Sequence, residues 1–337
     1  MPTFCRHNRF IERCPICSKT LAGVSPETQP KSKTRRAATK GAPGRPGQER
    51  LRAGGRAVHV QRESRAADDG YRSALLPGLR ASADAAALAE EIAFAHARLL
   101  ALETAPPDLY GEVRALAEED IERATWTCFL IAYFSPLDGE DPFAGIRRLL
   151  AAAPDIDARE EDLAVALEQV QLGPRTSHEP DRGASTLIAY RHWAERSNTQ
   201  AQAFAGDPAW TPQRRFERGF ERLSLPGFGR MGRYDLLVTL GRLGLYELRA
   251  DSLHFTSASE SASGDLATLA AKRVFAIGDP LLLERRARAL AEASAISVET
   301  LDLALANWTS GSRATLGVPR DTSDPGALER VREALEL

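Results

Sequence analysis

The chain has 337 residues, 43% of them hydrophobic and 27% charged, enough apolar material for one large domain or two small ones. Four cysteines exclude a disulfide scaffold, and no run of about 18 apolar residues offers a membrane span. The charged, cysteine-bearing start lacks the apolar stretch of a secretory signal, so a reduced, cytoplasmic protein with no membrane partner is expected. The net charge of -2 conceals an asymmetry. Residues 1–70 hold 15 Lys and Arg against 6 Asp and Glu, whereas the remainder holds 29 against 40. A basic arm ahead of an acidic body points to a polyanionic partner, although a basic linker alone produces the same imbalance.

Within residues 1–20, Cys5, His7, Cys14 and Cys17 form C-x-H-x6-C-x2-C. Zinc takes four soft or borderline ligands in a tetrahedron, and C-x2-C supplies two thiolates from one turn. A segment this short buries no core of its own, so a structural zinc ion would provide its folding energy. The alternative is a plain cluster of exposed thiols. Residues 21–70 form a basic linker, rich between 21 and 57 in Pro, Gly, Lys, Arg, Ser and Thr, with too little apolar surface to offset ordering entropy. The third domain, residues 71–337, reads as all-α.

Its periodicity is helical almost throughout. ASADAAALAEEIAFAHARLLALE is a long apolar-faced helix, with Ser82 or Asp84 as its expected cap. LYGEVRALAEEDIERATWTCFLIAYFS gives one or two helices ending before Pro136, with Cys128 in the core. DPFAGIRRLLAAA places Asp141 at the N-cap and Pro142 in the first turn. After a loop at Gly173-Pro174, STLIAYRHWAERSNTQAQAFA and QRRFERGFERLS follow, the latter with Phe216, Phe220 and Leu223 on one face. MGRYDLLVTLGRL is the next helix, and LYELRADSLHFTS alone has a strand-like pattern. DLATLAAKRVFAI, DPLLLERRARALAEA and SVETLDLALANW close the body as three capped helices.

The most informative stretch is residues 216–243. Two helices flank Leu225-Pro226-Gly227-Phe228-Gly229-Arg230, the pattern of a helix–hairpin–helix. Its glycines allow positive φ and close approach of backbone to phosphate, and the second helix aims free N–H groups at that phosphate. Between residues 210 and 250 there are eight arginines against four acidic residues. A solvated Gly-rich turn between two helices is the plainer reading. Trp126, Tyr133 and Phe134 are candidates for stacking a flipped base, as are His192 and Trp193, though each type is more often core. Hydrolase, P-loop and dinucleotide fingerprints are absent, and none of the six histidines has a triad partner in the sequence.

LPGFGRMGRYDLL, GDLATLAAKRVFAIGD and ETLDLALANW together resemble the helix–hairpin–helix DNA glycosylase superfamily. Within it, the chain is most similar to the alpha-glutamyl/putrescinyl thymine pyrophosphorylases, linked to hypermodified thymine in phage DNA. FCRHNRFIERCPIC looks like the metal knuckle attached to bacterial members. The resemblance implies a glycosylase-like helical domain in which Gly227, Phe228, Gly229, Arg230, Arg233, Lys272 and Arg273 contact DNA. It also implies an aspartate after the hairpin, at the start of a helix, that stabilises the sugar as the base leaves. Asp265, which opens DLATLAAKRVFAI, and Asp251, nearer the usual spacing, compete for that role; Asp265 is preferred.

No lysine stands just after the hairpin, where Met231 lies, so Schiff-base strand cleavage is not expected. The implied activity is excision of a modified pyrimidine from double-stranded DNA, in defence against phages with modified genomes. Two alternatives remain: amine-for-pyrophosphate transfer that builds a hypermodified thymine, and a non-catalytic DNA-binding module.

Overall fold

Each segment with a clear helical period is helical in the computed structural model, which describes residues 66–168, 170–257 and 265–337. The expected zinc ligands Cys5, His7, Cys14 and Cys17, and the linker up to residue 65, lie outside the described residues.

The long first helix, α1 (Ser82–Thr104), is not capped by Ser82 or Asp84 as the sequence led one to expect. Its cap comes from upstream: the Asp69 carboxylate accepts both the Ser82 N–H, at 3.0 Å, and the Ser82 hydroxyl. The following segment divides into α2 (Leu109–Glu119) and α3 (Ile121–Phe134) at Asp120, whose carboxylate accepts the Arg123 N–H. Helix α4 (Ala144–Ala152) starts later than Asp141 and Pro142 implied. The Pro142 carbonyl is taken by the Leu137 N–H at 2.8 Å, which holds that residue in a turn outside the helix.

Helix α5 (Glu160–Leu167) escaped the periodicity reading because only Leu163 on it is buried. Next come α6 (Ser185–Glu195) and α7 (Gln200–Ala205), separated where Asn198 takes φ +70° and Thr199 begins a new cap. Helices α8 (Pro212–Arg222) and α9 (Arg230–Arg242) flank the Gly-rich turn. Asp265 caps α10 (Leu266–Phe275) and Asp279 caps α11 (Pro280–Ala293), while α12 (Thr300–Ser310) begins without a side-chain cap. The last helix, α13 (Pro325–Ala334), is capped by Asp324.

Strand was anticipated near residue 250, yet residues 245–257 form irregular backbone pinned by neighbouring helices. Glu284 of α11 accepts the N–H groups of Leu253 and Phe255, each at 2.8 Å, and Glu299 accepts that of Ala250. Carboxylates therefore replace the ladder partners a strand would need. Among the described residues the sole β pairing is the isolated bridge between Leu225 and Phe228.

The described residues belong to one unit, Ser64–Leu337, organised about α12. That helix is buried from Thr300 to Asn307 and packs most extensively on α1 and α10. Helix α3 lies against α2 and α9, so the core runs without interruption to the hairpin. No helix among the described residues is long and apolar enough to cross a membrane.

Candidate functional site

The turn between α8 and α9 closes through a hydrogen bond from the Phe228 N–H to the Leu225 carbonyl, at 3.1 Å. Gly227 takes φ +77°, and a Cβ there would lie 2.4 Å from the Thr186 hydroxyl oxygen, so the position requires glycine for both conformation and space. The same hydroxyl donates to the Pro226 carbonyl at 2.9 Å, fastening the turn to α6. Gly229 occupies the N-cap of α9 with open space around it and no side-chain cap, so its first-turn N–H groups are left for an external acceptor. Phe228, expected on DNA, instead buries its ring against Phe129 at 5.3 Å; an apolar ring beside a closed core anchors the turn from within.

The arginine excess around the hairpin is largely neutralised in space. Arg214 pairs with Glu217, Arg218 with Glu221, Arg215 with Glu247, Arg249 with Glu103, and Arg242 with both Glu103 and Glu299. Arg222 instead reaches Ser197, and Arg233 lies over the Phe220 ring at 4.3 Å while donating to the Phe220 carbonyl. Counting charges along the sequence thus overstated the positive field, since glutamates three residues on cancel the exposed arginines of α8.

Beneath the hairpin lies a buried cluster of five charged groups. Arg230, the first residue of α9, grips Asp265 with two N–H···O bonds of 2.7 and 2.8 Å, and donates to Asp302 at 2.7 Å. A further donation reaches the Leu253 carbonyl at 2.8 Å. Arg175 repeats the pattern, holding Asp235 through two bonds of 2.9 Å and the other Asp302 oxygen at 2.7 Å. Asp302, in the middle of α12, therefore bridges the two guanidiniums, all three side chains being about 3–4% exposed.

Three carboxylates against two guanidiniums leave one negative charge in excess. The buried Arg98 faces it across two voids of about 10 Å³, both lined by Arg98 and Asp235 and each sized for a single water. Although burial pushes the Asp265 carboxyl up, Arg230 and the Thr268 hydroxyl and N–H outweigh it and hold the carboxyl below its ordinary range. Asp265 is an ionised carboxylate whose charge is already countered.

This arrangement changes several expected roles. Arg230 cannot grip a phosphate while buried in two ion pairs. Trp126, Tyr133 and Phe134 are fully buried and present no face on which a base could stack; the Trp126 N–H is spent on the Ala153 carbonyl. Trp193 is likewise buried, and His192 is exposed. Asp251 is exposed, and its main-chain carbonyl accepts from Arg288. Lys272 is half-buried and Arg273 exposed on α10. Arg175, Asp235 and Asp302 were missed. One signal was available: a charge inside an apolar helical run, as in ETLDLALANW, must have a buried partner elsewhere.

Residues 176–314 match the family model of alpha-glutamyl/putrescinyl thymine pyrophosphorylase clade 3. The match supports the likeness to the alpha-glutamyl/putrescinyl thymine pyrophosphorylase group. The matched segment takes in the hairpin, Arg230, Asp235, Asp265 and Asp302, with Arg175 immediately before it. No curated protein and no solved structure matched the chain.

Proposed function

We propose that the protein acts on an activated thymine-type base carried in DNA, exchanging pyrophosphate on the 5-methylene group for an amine. The match of residues 176–314 to a thymine pyrophosphorylase family carries this reading. In such an exchange the amine nitrogen bonds to the methylene carbon as the carbon–oxygen bond to pyrophosphate breaks, and the nitrogen then loses a proton. The uncapped N-terminus of α9 would hold a DNA phosphate through main-chain N–H groups, with Arg233, Lys272 and Arg273 adding charge near the backbone. The buried cluster would keep α9, α10 and α12 in register beneath that contact.

A second reading, excision of the modified base, draws support from Asp265, which caps the helix that follows the hairpin. Its difficulty is electrostatic. A carboxylate stabilises a sugar cation through uncompensated charge, and Arg230 already occupies both oxygens of Asp265.

Duplex DNA bearing 5-pyrophosphorylmethyluracil, incubated with the full chain and a polyamine, separates the readings. Amine transfer predicts inorganic pyrophosphate in step with a polyamine-linked base. Free base with an abasic site would establish excision instead, and retention of DNA with neither product would leave a binding module.

For the N-terminal region we propose that Cys5, His7, Cys14 and Cys17 hold one structural zinc ion, the chemistry of two thiolates from C-x2-C with a third thiolate and an imidazole. Metal analysis of the purified chain is expected to find about one zinc per molecule, lost when Cys14 and Cys17 are both replaced by serine.

A further inference from the structure

Helix α11 carries its positive charge differently from α8. On α8, Arg214 and Arg218 each pair with a glutamate three residues on. On α11, Arg285, Arg286 and Arg288 are all exposed, and among the described residues none of them forms an ion pair. The two acids of the helix do not cancel them. Glu284 is turned inward, its oxygens taken by the Leu253 and Phe255 N–H groups, and Glu292 stands four residues after Arg288 without pairing to it. Leu283, Ala287, Leu290 and Ala291 face the core, so at about 3.6 residues per turn Arg285 points directly away from it, with Arg286 and Arg288 on either flank.

Hydrogen bonds to main-chain carbonyls fix where those flanks lie. Arg288 Nε donates to the Asp251 carbonyl at 2.9 Å, on the side of residues 251–255, the segment that also receives Arg230 of α9 at the Leu253 carbonyl. Arg286 Nη1 donates to the Ala74 carbonyl at 3.2 Å on the other side. There the Gly78 N–H bonds the Val274 carbonyl at 2.9 Å, next to the exposed Arg273 at the end of α10. The arginines therefore form a belt across α11, from the segment that meets the start of α9 to the segment that leads into α1. This belt lies in a body that is otherwise acidic, with 29 Lys and Arg against 40 Asp and Glu after residue 70.

Resting on DNA as the partner in the preceding reading, we propose that the α11 belt is a second contact with duplex DNA, binding backbone phosphates without regard to sequence. Uncompensated guanidiniums in a row match the spacing of charge along a polyanion, and they bind it by releasing its counterions. The sequence ahead of residue 71 is itself basic, 15 Lys and Arg against 6 Asp and Glu, and one long polyanion suits both. Leu281, 75% exposed, and Leu282 stand in the first turn of the same helix, a mixture that an anionic lipid surface would also accept, so the test includes that surface.

Binding of the full chain to unmodified duplex DNA, followed by fluorescence anisotropy over a range of salt concentrations, reads the contact directly. Arg285→Gln/Arg288→Gln is expected to weaken binding about tenfold or more at low salt and to reduce the slope of log Kd against log salt by about 2, one for each phosphate contact. Arg285→Gln alone, at a side chain with no hydrogen bond among the described residues, is expected to reduce the slope by about 1 with an unchanged melting temperature. Arg123→Gln/Arg148→Gln removes the same charge from exposed positions on α3 and α4 and is expected to keep the wild-type slope. Equal losses in the two double variants would reduce the effect to net charge and overturn the belt, as would a wild-type slope in the α11 variants. Wild-type binding to phosphatidylserine vesicles that the α11 variant loses, with DNA affinity unchanged, would overturn it in favour of a membrane surface. Pyrophosphate release by an α11 variant with unaltered DNA affinity leaves the transfer reading standing and removes the belt. Belt-dependent DNA binding by a wild type that releases no pyrophosphate does the reverse.

Discussion

Arg230→Met is expected to destabilise the fold by about 3–5 kcal/mol, the usual cost of removing one partner from a buried ion pair. The substitution keeps most of the side-chain volume, so cavity formation contributes little. The loss arises because Asp265 and Asp302 would both remain, one about 11% and the other 3% exposed, with a shared partner gone and the Leu253 carbonyl unpaired. Arg230→Lys would retain charge but not the planar fork that serves two carboxylates at once, and should fall between methionine and wild type.

Denaturant midpoints at neutral pH measure both variants, and a loss below about 1 kcal/mol for methionine would contradict the buried geometry. The acid limb gives a second readout. The Asp265 pKa is depressed in the folded state, so its contribution to stability is present above the unfolded value of about 4 and is lost as pH falls through the lower folded value. Without Arg230 burial dominates and lifts that carboxyl, so proton uptake should begin at higher pH.

Gly227→Ala is expected to loosen the hairpin from α6 and, under the proposed phosphate contact at α9, to weaken binding of duplex DNA. A left-handed conformation costs an alanine about 1–2 kcal/mol, before the 2.4 Å approach to the Thr186 hydroxyl is relieved. Relief means moving Thr186, and with it the hydrogen bond to Pro226, or moving the turn and the N–H groups behind it. Gly229→Ala is the control. Gly229 has extended backbone, at φ -70° and ψ -179°, with nothing near the added methyl, so thermal stability should change little. Equal melting temperatures and DNA affinities for Gly227→Ala and wild type would mean that the close approach is not a constraint.

The elements of this fold were legible where local physics decides them. Phe216, Phe220 and Leu223 recur at the helical period, Asp265 and Asp279 stand where caps belong, and Gly227 marks the turn. Those signals arise within a few residues of one another. The site was far less legible, because its partners are distant: Arg175 and Asp302 are 127 positions apart, and Arg230 and Asp302 are 72 apart. Nothing in RMGRYD says whether its first arginine faces water or carboxylates. The aromatic run WTCFLIAYF misled for a related reason: stacking surfaces and core fillers are the same residues, and only packing against Tyr190, 3.7 Å from Phe129, shows which they are.

The bridging of two guanidiniums by Asp302 also limits how this protein can drift through sequence space. A solitary change at Arg175 or Arg230 strands a carboxylate in the interior, and a solitary change at any of the three aspartates leaves buried guanidinium N–H groups without an acceptor, so each single-step route is opposed by selection for folding. An apolar version is reachable only if several positions change together. The five are therefore expected to be inherited as one character: present together in relatives that keep the arrangement, and replaced together in any lineage that has abandoned it.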